Sequence, residues 1–211
     1  MKLIIGDKRW STWSMRPWLV LHRVGAAFEE VRVPLRQHDV TTEAIVAAGS
    51  PSGLVPLLID GELAINDSLA ICEYLAERFP DAKLWPDDQQ ARALVRAAAA
   101  EMHAGFTPVR RDLSMDVGAR HDVEIGEETA ATLRRIVALW RDLIARFGGP
   151  FLGGAAWGNV DAFYTPVATR FVTYDVDLSA YGDDGAAAAY RDLLLAQSEY
   201  RLWEQGALAE R

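Results

Sequence analysis

The chain has a single cysteine, Cys72, so it can form neither an internal disulfide nor a Cys-x-x-Cys redox pair. Its four histidines are scattered, without the close spacing of a metal site, so no metal is expected. No apolar run is long enough to cross a bilayer, and no signal peptide is visible. Positive charge is also scarce. Lys and Arg number 22 against 30 Asp and Glu, a net charge of −8, which argues against nucleic acid or an anionic membrane as the main partner. A soluble protein in a reducing, cytoplasmic setting is the resulting expectation. Half of the 211 residues are apolar and a quarter charged, so the chain can bury a core as one large domain or two small ones.

The most informative stretch is Ser50–Leu75. A turn cluster, Ser50-Pro51-Ser52-Gly53, precedes Val55-Pro56 and the apolar run Leu57-Leu58-Ile59. Asp60-Gly61 is a hairpin signal, with Leu63-Ala64-Ile65 as the return strand. Asn66-Asp67-Ser68 then opens a helix on which Leu69, Cys72 and Leu75 recur at helical spacing. This order suits a short peptide-like ligand. A cis Val55-Pro56 bond would leave the Val55 amide and carbonyl free to pair with another backbone. Asp67 can hold an ammonium group, while the Ser68 hydroxyl and the helix N–H groups can hold a carboxylate. An ordinary capped helix after a hairpin would use the same residues.

From the beginning of the chain, Lys2–Gly6 reads as a short buried strand, followed by a polar, aromatic loop to Trp13. Ser14 is read as the cap of a helix carrying Met15, Trp18, Leu19 and His22 on one face, with Pro17 in its first turn and Gly25 after its end. Phe28–Pro34 is a second strand, and 36–49 a loop with a short helix. The order β-α-β-α-β-β-α indicates an α/β unit. After the linker 80–86 the pattern is helical alone. A long Ala-rich helix is expected from Asp87-Asp88 to about Met115, and a second over Glu127–Phe147, stopped by Gly148-Gly149-Pro150. A third begins near Asn159 and contains Pro166, and one or two more span Ala186–Leu208.

An α/β unit of this order followed by helices resembles the cytosolic glutathione S-transferases. The resemblance rests on STWSMRPW at 11–18, VP at 55–56, DSLAICEYL at 67–75 and GNVDAFYTPVATRF at 158–171, and it spans nearly the whole chain. It implies a thioredoxin-like glutathione-binding domain at 1–80 and an all-helical domain at 87–211 that helps to build the acceptor pocket. By resemblance the Val55 backbone, before Pro56, would pair with the cysteinyl unit of glutathione, and Asp67 and Ser68 would bind its γ-glutamyl end. For the glycyl end only Gln37 and His38 are candidates.

The residue that activates the thiol in this family follows the first strand. Ser11-Thr12-Trp13-Ser14-Met15-Arg16 is similar to the serine-type pattern of the zeta and theta classes, with Ser11 at the matching place and Thr12 as the alternative. A hydroxyl beside a helix N-terminus can donate to a thiolate, and the helix dipole adds to the effect. Lowering a thiol pKa by about two units takes only ~2.7 kcal/mol. The chain departs from the zeta pattern at Trp13, where a cysteine is usual, and it has Gly158 where most members place Ser or Thr three residues before the helix aspartate. Asp161 can still reach back to backbone N–H groups, but half of the capping box is lost.

Other residues admit plainer roles. Cys72 reads as a small core residue and His22 as structural. Trp10 and Trp13 could wall an apolar pocket or mark a subunit contact. His103, Phe106 and Arg110 fall on one face of the long helix, where the family has its second-substrate pocket. The resemblance implies an enzyme with glutathione as co-substrate, attacking a small, largely apolar electrophile in a detoxification role, and assembled as a homodimer. A glutathione-dependent cis–trans isomerase of the maleylacetoacetate type, with Arg110 or Arg120 on an acidic substrate, is the nearest alternative. A non-catalytic binding module is the alternative from another class. A thioredoxin-like reductase does not fit, because no cysteine follows the first strand.

Overall fold

Four strands make one mixed sheet in the computed structural model, which describes residues 1–37 and 39–210. They are β1 (Lys2–Gly6), β2 (Glu29–Val33), β3 (Leu57–Asp60) and β4 (Leu63–Asn66), in the order β2-β1-β3-β4. β1 runs parallel to β2, with Ile4 opposite Val31, and antiparallel to β3, with Leu3 opposite Leu58. β3 and β4 form the expected hairpin, but Asp60 pairs with Leu63, so the loop is Gly61-Glu62, one residue later than an Asp-Gly turn would put it. Gly61 supplies the positive φ that the turn needs.

The period of two along β1 decides which layer each side chain joins. Leu3 and Ile5 point to the face that joins the main core, with α1 (Thr12–Arg23) and α3 (Ser68–Arg78). Ile4 points the other way, into a small cluster with Val33, Ile45 and Leu57 beneath α2 (Asp39–Ala47). Such two-sided burial explains why β1 is a continuous apolar run rather than an alternating one.

The rest of the chain is helical: α4 (Gln89–Ala104), α5 (Thr107–Asp112), α6 (Glu127–Phe147), α7 (Asn159–Thr173), α8 (Ala186–Ala196) and α9 (Ser198–Ala209). α7 is buried along nearly its whole length and packs on α1, α4 and α8, so one apolar core runs from the sheet into the helices. None of the described helices is long and apolar enough to cross a membrane.

Two expectations about the helices also need correction. The helix after β1 begins at Thr12, not after Ser14: the Met15 N–H already donates to the Ser11 carbonyl, and Ser14 is turned inward to accept the Gly6 N–H at 3.1 Å. Pro17 therefore sits in the second turn, and the helix forgoes the bond that residue 17 would donate to the Trp13 carbonyl. The long Ala-rich helix is also two helices. Gly105 ends α4, Phe106 takes a left-handed conformation with φ of 59°, and Pro108 lies in the first turn of α5.

The start of α7 explains Gly158. A Cβ there would stand 2.7 Å from the Leu84 carbonyl oxygen, which accepts the Asn159 N–H at 2.8 Å. With no side chain at Gly158, the capping falls to Asp161, which is fully buried. Its Oδ2 accepts the Gly158 N–H at 2.8 Å, and its Oδ1 accepts the Leu152 N–H at 3.2 Å and the Tyr190 hydroxyl at 2.6 Å. Burial pushes its carboxyl up to about 6 against the pull of these donors.

Candidate functional site

A cavity of about 360 Å³ opens between the start of α1 and the β3–β4 hairpin, lined by Trp13, Leu54, Val55, Pro56, Asn66, Asp67 and Ser68. The Val55-Pro56 bond is cis, and the Val55 amide and carbonyl make no hydrogen bond among the described residues. Asp67 is the N-cap of α3, held at φ of 75°, a sparsely populated region for a residue with a side chain. Its Oδ1 accepts the Leu69 and Ala70 N–H groups at 2.7 and 3.3 Å, while its Oδ2 faces the His103 Nε2 at 3.2 Å. The Asp67 side chain remains 47% exposed, open enough to meet a ligand. Ser68 is buried, and its hydroxyl oxygen accepts a hydrogen bond from Arg16 at 3.1 Å.

Arg16 is the residue that sequence reasoning passed over. It is fully buried in α1, whose residues 14–21 are all buried, and its guanidinium lies 4.2 Å from the Trp13 ring and 4.6 Å from that of Phe163. NH1 bonds Ser68 and faces His103 Nδ1 at 3.3 Å, whereas Nε and NH2 have no partner among the described residues. Burial, with a smaller contribution from Arg110 and Arg170, lowers its pKa to about 9. Arg170, on α7, is also buried, lacks partners at Nε and NH1 among the described residues, and is lowered to about 9 chiefly by burial. The signal available in the sequence was one arginine inside the apolar run Met15–Leu21, where a buried cation requires a polar partner.

Of the expected acceptor-pocket residues, His103 and Arg110 meet Trp13: the His103 ring stands edge-on to it at 5.1 Å and the Arg110 guanidinium lies 4.9 Å from it. Burial lowers the His103 pKa, with Asp67 opposing and Arg16 and Arg110 assisting. The Arg110 guanidinium is committed to the end of α4, donating to the carbonyls of Gly105 (2.8 Å), His103 (3.2 Å) and Met102. Phe106 takes up the left-handed turn between α4 and α5, packs against the core as a partly buried side chain, and does not line the cavity. Arg120 lines other cavities. Gln37 is exposed, its N–H donating to the Thr41 hydroxyl, and His38 lies outside the described residues.

Ser11 and Thr12, next to Trp13 in sequence, are buried and do not themselves line the cavity. The Ser11 hydroxyl donates to Ser14 Oγ at 2.7 Å, and Ser14 Oγ also accepts the Gly6 N–H. Cys72 is fully buried, its thiol pKa raised by burial, so it is not a nucleophile in this structure.

A sheet of this order with a capped helix after its hairpin, followed by an all-helical part, is the thioredoxin-like-plus-helical architecture. Residues 10–78 match the model of the glutathione S-transferase N-terminal domain. "Glutathione S-transferase Z2" of Arabidopsis thaliana is 32% identical over 176 residues, covering 81% of this chain and 78% of that one. A "Probable maleylacetoacetate isomerase" of Vibrio cholerae is 47% identical over 146 residues, 63% of each chain. The solved holo structure of a maleyl pyruvate isomerase, described as a bacterial zeta-class glutathione S-transferase, superposes with a TM-score of 0.75 at 25% identity over 98% of both chains. The chain belongs to the glutathione S-transferase family.

Proposed function

We propose that the protein binds glutathione in the cavity beside Pro56 and activates its thiol for attack on a small, largely apolar electrophile. The observation that carries this reading is the set of complementary groups along one wall: a Val55 backbone unpaired among the described residues, a half-exposed Asp67 side chain and the start of α3 at Ser68. These suit an internal peptide unit, an ammonium and a carboxylate respectively. Residues 1–80 supply the glutathione side, and 87–211 supply His103 and Arg110 toward the acceptor.

Ser11 is the proposed activator. Its proton now goes to Ser14, which also accepts from Gly6 and so is not left bare when Ser11 turns to a thiolate. Exchanging a neutral acceptor for a charged one is favourable. The test is the ultraviolet thiolate absorbance of bound glutathione against pH in wild type, Ser11→Ala and Thr12→Ala. Ser11→Ala should raise the midpoint toward that of the free thiol, and one unit corresponds to about tenfold less thiolate at neutral pH. A shift in Thr12→Ala alone transfers the role to Thr12, and no shift in either variant refutes the hydroxyl mechanism.

A second reading is supported by the Arg16 and Arg170 nitrogens that have no partner among the described residues: an acceptor carrying carboxylates, as a glutathione-dependent cis–trans isomerase would use. Arg110 supports it less, since α4 carbonyls occupy its donors. Turnover of uncharged electrophiles against unsaturated dicarboxylates separates the two. A non-catalytic binding module would turn over neither while still binding glutathione. Assembly as a cytoplasmic homodimer belongs to the same proposal, supported by exposed Leu54 and Leu94 and by the groove between α4 and α6 lined by Leu94, Ala97, Leu139 and Leu143.

A further inference from the structure

The loop between β1 and α1 is held from two sides by parts of the chain far from it in sequence. From one side comes α9. The Trp203 indole N–H donates to the Lys8 carbonyl at 2.9 Å, and the Glu210 carboxylate accepts the N–H groups of Lys8 and Arg9 at 3.2 and 3.4 Å. Arg32, on β2, lies 3.6 Å from the same carboxylate, whose side chain is only 11% exposed. α9 passes so close that a Cβ on Gly206 would sit 2.7 Å from the Lys8 side chain. From the other side come the residues after α5: the Val117 N–H donates to the Arg9 carbonyl at 3.1 Å, and Arg9 pairs with Asp116. The loop then delivers Ser11, whose N–H donates to the Asp7 carbonyl at 2.9 Å.

A nearly buried carboxylate that accepts two successive backbone N–H groups holds them at a fixed height, because the ionised acceptor makes both bonds stronger than neutral ones. Lys8 adds a second constraint. Its ammonium pairs with Glu30 at 2.6 Å and lies over the Trp18 and Trp203 rings at 5.1 and 5.9 Å, tying the loop to α1 and α9 together. Ser11 stands two residues beyond Arg9, so the loop has little slack with which to absorb a shift.

We propose that Glu210 and Trp203 are positioning residues for the thiol-activating segment, holding Lys8 and Arg9 so that Ser11 and Thr12 meet the glutathione sulfur. This rests on the reading of the site given above. Neither residue touches the cavity, so their effect falls on activation rather than on glutathione capture.

The experiment compares wild type with Glu210→Gln, Glu210→Ala and Trp203→Phe. The amide of Glu210→Gln can serve only part of the pair, and Trp203→Phe keeps a ring in the core while removing the N–H. Three readouts are taken: amide hydrogen exchange of the Lys8–Ser11 segment, the thiolate midpoint of bound glutathione, and the glutathione Kd. The expected result is faster exchange in the loop with α1 and α6 unchanged, a midpoint raised by about half a unit, which is roughly threefold less thiolate at neutral pH, and a Kd within twofold of wild type. Loop exchange unchanged in the folded variants overturns the clamp. Faster exchange with an unmoved midpoint overturns the positioning role. A wild type that binds no glutathione overturns the function reading itself, an outcome that the wild-type titration reveals before any variant is made.

Discussion

Replacing Asp161 by Asn should reveal the cost of an ionised carboxylate at the start of α7. The carboxyl is pushed up to about 6 in the folded protein by burial, against about 3.8 for an unperturbed aspartate. Between those values the folded state keeps a proton that the unfolded chain has lost. Stability contributed by this group is therefore complete below about pH 4, falls as pH rises through about 6, and is level above. Between pH 4.5 and 7.5 the loss is about 1.4 pK units, or about 2 kcal/mol. Asn does not titrate. It can keep one oxygen for the Leu152 N–H and the Tyr190 hydroxyl, but then turns an N–H₂ toward the Gly158 N–H, orphaning it at a cost of about 1–3 kcal/mol. The stability gap between wild type and Asp161→Asn should thus be widest in acid and narrow by about 2 kcal/mol at neutral pH. Urea unfolding of both proteins at the two pH values measures it, and the difference removes every other titrating group. A gap that stays constant or widens with pH would refute the argument.

The other predictions concern the site and the assembly. Asp67→Ala should weaken glutathione binding by at least tenfold, since it removes a charge-assisted bond worth about 1.5–3 kcal/mol; calorimetric titration with unchanged affinity would overturn its role. Part of any loss in stability in that variant belongs to the α3 cap, so affinity and melting temperature should be measured on the same sample. Light scattering at micromolar concentration should give twice the 23.3 kDa mass of one chain, and a monomer mass would count against the homodimer.

Elements bounded by turn residues were readable before any geometry. β1 and α6 end where glycine or a Gly-Gly-Pro run says they must, and α6 matches the expected Glu127–Phe147 residue for residue. The two failures at helix boundaries have different causes, a distant partner in one and masked local signals in the other. Ser14 carries a good capping side chain, but its partner is the Gly6 N–H eight residues back across the β1–α1 connection. The break in the Ala-rich segment was written in Gly105 and Pro108, yet helix propensity on both sides of them masked it. Within the site, the hairpin-to-α3 wall was legible because its residues are neighbours in sequence. The Arg16 network was not: it joins α1 to Ser68, 52 residues away, and to His103, 87 residues away.

That network has a consequence for how such a chain can change over time. Arg16 comes from the first helix, rests on a ring of α7, bonds the first residue of α3 and faces a histidine of α4. A substitution at any one of these places disturbs a buried cation that has no carboxylate to fall back on among the described residues. The sheet-bearing part and the helical part therefore cannot drift separately around this point. Any exchange of one part for that of a relative must carry Arg16, Ser68, His103 and Phe163 as a single inherited unit.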